Sequence, residues 1–197
     1  MLVTLVLFVQ LAVAGVLLTS GVAKLRGDAN RNTWATVLGR APKPLRHLPA
    51  AAMSRLHVGV EVLVGGALLL STVVPRLVLP ALVVAALLLV GFTGLALYSA
   101  VTGRSVTCSC FGASTTPLGW AHVGRNLVLT GLTVSGVAAS ARTTGTVDNA
   151  MLSTPGHAAL AVLGAVAVTA LTFFFDDVID LLVPRTPVRS GVRGPVR

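Results

Sequence analysis

The chain has 197 residues, 54% of them hydrophobic and 11% charged, with a mean hydropathy of +0.88. A soluble domain averages about 25% charged residues, so the composition excludes a water-soluble globular domain and describes a chain embedded in lipid. The formal net charge of +9 would suggest nucleic acid in a soluble protein. Here the positive residues sit beside apolar runs, with no aromatic–basic interleaving, so the partner they imply is anionic membrane lipid and no nucleic acid.

A hydrocarbon core about 30 Å thick needs about 20 mostly apolar residues per helix. The uncharged run 2–23 satisfies this. It lacks the positive n-region of a signal peptide and is longer than the usual apolar core of about 7–15 residues, so it reads as a retained helix. The connection that follows, 24–55, carries Lys24, Arg26, Arg31, Arg40, Lys43, Arg46 and Arg55 against one acid, Asp28. Pro42, Pro44 and Pro49 break it, while Asn32 to Leu38, around Trp34, predict a short helix lying at the interface. A second span covers 56–74, with Glu61 its one internal charge. After the tight turn Val73-Val74-Pro75-Arg76 comes a third, uncharged span, 77–101. The next connection, 102–119, holds the only two cysteines. A fourth span, 120–140, carries Arg125. A polar loop leads to a fifth, 157–175, followed by Asp176, Asp177 and Asp180.

The runs are too long for strands and show no period-two alternation. The expected fold is therefore all-α, a polytopic membrane bundle of about five helices, with a four-helix core and a C-terminal helix. The bundle occupies 1–183, and the basic, Pro- and Gly-rich tail 184–197 reads as disordered until it meets lipid. No internal repeat is visible. Gly59, Gly65, Gly66, Gly91, Gly94, Gly131, Ser135 and Gly136 read as sites of close helix packing.

Positive residues accumulate in cytoplasmic loops of cell-membrane proteins. Counting them places 24–55, the cysteine connection with Arg104 and the tail inside, leaving only Arg76 and Arg142 outside. One inference does not depend on orientation. Alternating spans bring the ends of the first and third to the same face as the starts of the second and fourth. Lys24, His57, Glu61, Tyr98, Arg104, Cys108, Cys110, His122, Arg125 and Asn126 therefore gather at one end. Glu61 is charged at depth and has to pair or be neutral. Arg125, at similar depth, is the first-choice partner and Lys24 the second, and such a pair can also be no more than a lock between helices. His57 and His122 read as interfacial structural residues before they read as ligands.

Cys108-Ser109-Cys110 sits among cations that favour the thiolate, the form that exchanges disulfides or binds soft metals. A disulfide across one intervening residue closes a small ring that strains easily, and a strained bond is readily reduced. Such a pair suits transfer of redox equivalents better than bracing a fold. Zinc wants four ligands, and the nearest addition is His122. Two thiolates can hold Cu(I) or a comparable soft ion such as mercury, so soft-metal binding or transport is the alternative. A pore is disfavoured, since no span carries a line of polar residues.

Ser20-Gly21-Val22-Ala23-Lys24-Leu25-Arg26, Glu61 with Gly65-Gly66, Cys108-Ser109-Cys110-Phe111-Gly112, and Trp120 followed by Arg125-Asn126 together resemble the MauE branch of the MauE/DoxX family. The resemblance covers roughly residues 15–130. It implies a membrane helical bundle, associated with methylamine utilisation and related redox loci, that supports disulfide chemistry. Its expected partner is a thioredoxin-fold protein and its task the maturation of an extracytoplasmic, disulfide-rich enzyme. Cys108 and Cys110 would be the reactive pair, with Lys24, His57, Glu61, Arg125 and Asn126 as its polar support. Membrane thiol oxidases suggest a quinone acceptor by analogy of role, with no quinone motif visible here. The implied role wants the cysteines outside, against the charge count. Whether the chain is itself a thiol–disulfide oxidoreductase or assists one stays open at this stage.

Overall fold

The computed structural model describes residues 2–25, 29–40, 43–102, 119–143, 155–175 and 177–178. Cys108, Cys110, Arg104 and the tail 184–197 lie outside the described residues. Six helices are present, and no strand occurs among the described residues: α1 (Leu2–Leu25), α2 (Ala29–Arg40), α3 (Ala50–Leu70), α4 (Val78–Thr102), α5 (Trp120–Thr143) and α6 (Pro155–Phe173). Short 3-10 turns occupy Lys43–Leu45 and Pro75–Leu77.

Among the described residues, four segments are long and apolar enough to cross a membrane: Leu2–Leu25, Ala50–Leu70, Pro75–Thr102 and Gly156–Phe173. Helix α5 has 24 residues, about 36 Å at a rise of about 1.5 Å per residue, so length does not set it apart. Its composition does, for a reason visible in its faces. His122, Arg125, Asn126, Thr133 and Ser140 are buried, whereas Leu127, Val128 and Val134 are exposed. Polar groups facing the bundle lower the average hydropathy while the outer face stays apolar.

Helix α1 is the centre of the bundle. Helices α3, α5 and α6 all pack along it, α4 pairs with α5, and α2 lies on α3. Val9, Val13 and Leu17 of α1 share one buried cluster with Leu68 of α3, Leu82 of α4 and Ala139 of α5. Glycines set the approach. A Cβ on Gly65 would stand 2.8 Å from Leu18, one on Gly21 2.8 Å from Val62, and one on Gly136 2.6 Å from Val9. The packing expectation fails for Gly59, Gly66, Gly91, Gly94 and Gly131, where an added Cβ would meet nothing within 4 Å among the described residues.

The second helix also differs from its predicted span. It runs Ala50–Leu70 where apolarity indicated 56–74. Pro49 precedes Ala50-Ala51-Ala52, a start that favours helix whatever the hydropathy. At the far end the Ser71 N–H donates to Ala67 O at 2.9 Å and its hydroxyl to Leu68 O at 2.6 Å, closing the last turn. The early start leaves a shoulder of α3 on which α2 docks, and Asn30 Nδ2 donates to Ser54 Oγ at 2.8 Å across that contact. Helix α2 itself is longer than the 32–38 stretch expected around Trp34.

Candidate functional site

Ser20 and Lys24 are four apart on α1, and His57 and Glu61 are four apart on α3, so each pair shares one helix face. The close approach at Gly21 turns those faces toward each other. Glu61 is completely buried, 0% exposed. Its Oε1 lies 2.5 Å from Lys24 Nζ and 3.6 Å from His57 Nε2, and accepts from the Ser20 hydroxyl at 3.3 Å. Lys24 Nζ is in turn 3.0 Å from His57 Nε2. Taking both charges out of water costs several kcal/mol per ion, offset only by direct contact and further hydrogen bonds. The geometry supplies both.

Aromatic rings close the rest of the cluster. The ammonium of Lys24 sits 5.1 Å from the centroid of Phe92 on α4, a distance at which ring and cation attract. The His57 ring lies 5.1 Å from Phe92 and 5.6 Å, edge-on, from Trp34 of α2. Thus α2, read from sequence only as an interfacial helix, forms a roof over His57. The second carboxylate oxygen, Oε2, is buried and has no hydrogen-bond partner among the described residues. Beside it Ser20, Glu61, Phe92 and Asn126 border an internal space of about 10 Å³, room for about one water molecule. Lys24 Nζ thus bridges the imidazole of His57 and the carboxylate of Glu61 and ties α1 to α3.

The expectation that Arg125 would neutralise Glu61 is corrected. The cation that reaches it is Lys24, because α3 packs along α1 and not along α5. Arg125 is buried on α5, with its guanidinium carbon 5.4 Å from the Phe175 ring centroid. The neighbouring Asn126, turned about 100° around the helix, is the polar α5 residue that borders the space next to Glu61, together with Leu129. His122 accepts from the Gly119 N–H at 3.4 Å through Nδ1, at the start of α5. Tyr98 is 44% exposed on α4. Cys108, Cys110 and Arg104 lie outside the described residues. Sequence reasoning assigned no part to Ser20, Phe92 or Gln10. The spacing of Ser20 to Lys24 was a usable signal. Phe92, one of six phenylalanines, and Gln10, whose Nε2 donates to Leu68 O at 2.9 Å, carried none. Among the described residues no cluster of three or more His, Cys, Asp or Glu could hold a metal ion.

A family model described as "Methylamine utilisation protein MauE" matches residues 2–139, from the start of α1 into the last turns of α5. No curated protein matches the chain, and no solved structure does. The matched stretch contains the whole ionic cluster and both cysteines, and leaves out α6. With more than half of the chain matched and four helices apolar enough to cross a bilayer, the chain is a membrane protein that belongs to the MauE family of methylamine utilisation proteins.

Proposed function

We propose that the chain is a thiol–disulfide redox protein of the cell membrane, in which Cys108 and Cys110 cycle between dithiol and disulfide against a thioredoxin-fold partner. The observation that carries this reading is one of placement. The only cysteines of the chain lie between the end of α4 at Thr102 and the start of α5 at Trp120, inside the family match. From there the chain re-enters the bundle through a helix whose buried face begins with His122, Arg125 and Asn126. Cations at that end favour the thiolate.

In the exchange, the Cys110 thiolate attacks one sulfur of the partner's disulfide, forming a mixed disulfide and releasing a partner thiolate. Cys108 then loses its proton and attacks the Cys110 sulfur, expelling the second partner thiolate. Two electrons and two protons pass from the pair to the partner, which leaves as a dithiol. The charge count places the pair on the cytoplasmic side, where a reduced thiol pool regenerates it.

Thiol trapping in cells tests the proposal. Cys108→Ser should accumulate a mixed disulfide between Cys110 and a thioredoxin-fold protein, and Cys110→Ser should accumulate little. A soft metal ion bound once per chain and lost in either variant, with no mixed disulfide, would support the metal-handling alternative. Cysteines that stay reduced and partnerless, with no metal, would end both readings.

A further inference from the structure

A second site lies on the outer side of the α1–α3 contact, bordered by Lys24, the ion-pair partner of Glu61. The end of α1, the start of α2 and the first turns of α3 enclose a cleft of about 510 Å³. Its rim carries Arg31 at the start of α2 and Arg55 near the start of α3, both exposed. Neither has a carboxylate within ion-pair distance among the described residues. Its floor is apolar at Leu25, Val58, Gly59 and Val62, with Lys24 and Ser54 also bordering the cleft. Along α3, Val62 lies about 10 Å deeper than Arg55 at about 1.5 Å per residue.

The cleft is built and held open. The Asn30–Ser54 hydrogen bond at 2.8 Å fixes α2 to α3 and so sets the backbone positions from which Arg31 and Arg55 extend. The floor is hollow at Gly59, where a side chain would meet nothing within 4 Å. Two cations on docked helices, above an apolar trough running about 10 Å along α3, match one kind of occupant. It has an anionic head with several acceptor oxygens and a hydrocarbon body. A small soluble anion would use the rim and leave the trough empty, and a zwitterionic lipid would offer its phosphate together with a competing cation.

We infer that this cleft is a specific binding site for one anionic phospholipid. Its phosphate is held by Arg31 and Arg55, and one acyl chain lies against Val58, Gly59 and Val62. Arg guanidinium groups bind phosphate through paired N–H donors. The inference is independent of the redox reading, since it uses no cysteine.

The test uses the full chain purified in a zwitterionic detergent. Retained lipid is quantified by mass spectrometry after exchange against micelles containing equal phosphatidylglycerol and phosphatidylcholine. The expected result is about one phosphatidylglycerol per chain and little phosphatidylcholine. Arg31→Gln with Arg55→Gln should weaken phosphatidylglycerol binding by about thirtyfold. Gly59→Leu fills the trough without touching the charges or clashing with the fold, and should also displace the lipid while melting temperature in lipid-free detergent is kept. Equal retention of both lipids, or wild-type retention in the Gly59→Leu variant, overturns the proposal. So does competition by inorganic phosphate alone at the concentration of the lipid, which would mark a simple anion site.

Discussion

Replacing Lys24 with methionine separates the ion pair from the packing around it. Methionine keeps the length of the side chain and its contact with Phe92, while removing the ammonium 2.5 Å from Glu61 Oε1. At an effective dielectric of about 20, two unit charges at that distance attract by about 7 kcal/mol, most of it offset by their desolvation. The variant feels the remaining carboxylate, which is fully buried, with Oε2 unpartnered among the described residues and Oε1 left with the Ser20 hydroxyl and the His57 ring at 3.6 Å. Leaving one member of a buried pair uncompensated costs about 3–5 kcal/mol. Unfolding in detergent by titrated SDS, followed by helicity, should therefore show Lys24→Met destabilised by about 3 kcal/mol or more. Glu61→Gln should behave alike, and the double variant should recover at least about 2 kcal/mol relative to the sum. Arg125→Gln combined with Glu61→Gln should instead add to within about 0.5 kcal/mol, as separated sites do. Additivity for Lys24 with Glu61, or a large coupling for Arg125 with Glu61, would refute the pairing.

Three further variants can be checked with the same titration. Gly136→Val places methyl groups where Val9 already stands 2.6 Å from the Cβ position, and should destabilise by about 1–3 kcal/mol. Gly131→Ala, five residues earlier on the same helix and meeting nothing within 4 Å, should be neutral or up to about 1 kcal/mol more stable. Phe92→Leu removes the ring that faces both Lys24 and His57, and should cost about 1–2 kcal/mol. That loss should shrink when Lys24 is already methionine. An equal loss in both backgrounds would show that Phe92 acts by packing alone.

The helices were readable from sequence because length and apolarity dominate wherever lipid is the solvent. Their ends were not: Ser54 and Arg55 are polar yet helical, since Pro49 and the alanines after it set the start of α3 by backbone preference. The gathering of Lys24, His57, Glu61 and Asn126 at one end followed from alternation of the spans alone. The choice between Lys24 and Arg125 did not, because depth is a coordinate along the helix axis and carries no information on which helices are neighbours. The same limit explains the glycines. A small residue permits close approach, and whether a neighbour uses it is decided by the arrangement of the bundle, so Gly65 and Gly136 are contacts and Gly91 and Gly94 are not.

Because α1 is the centre of the bundle and is made before the helices that pack on it, its polar side chains exist before their partners do. Glu61 lies 37 residues after Lys24, and Leu68 lies 58 residues after Gln10. At about 5–20 residues per second, the ribosome delivers the carboxylate roughly 2–7 seconds after the ammonium. Lys24, at the very end of α1, can spend that interval with its stem along the helix and its charge among the headgroups. Gln10, near the middle of α1, has no such refuge, and its amide stays unanswered for longer until the last turn of α3 arrives.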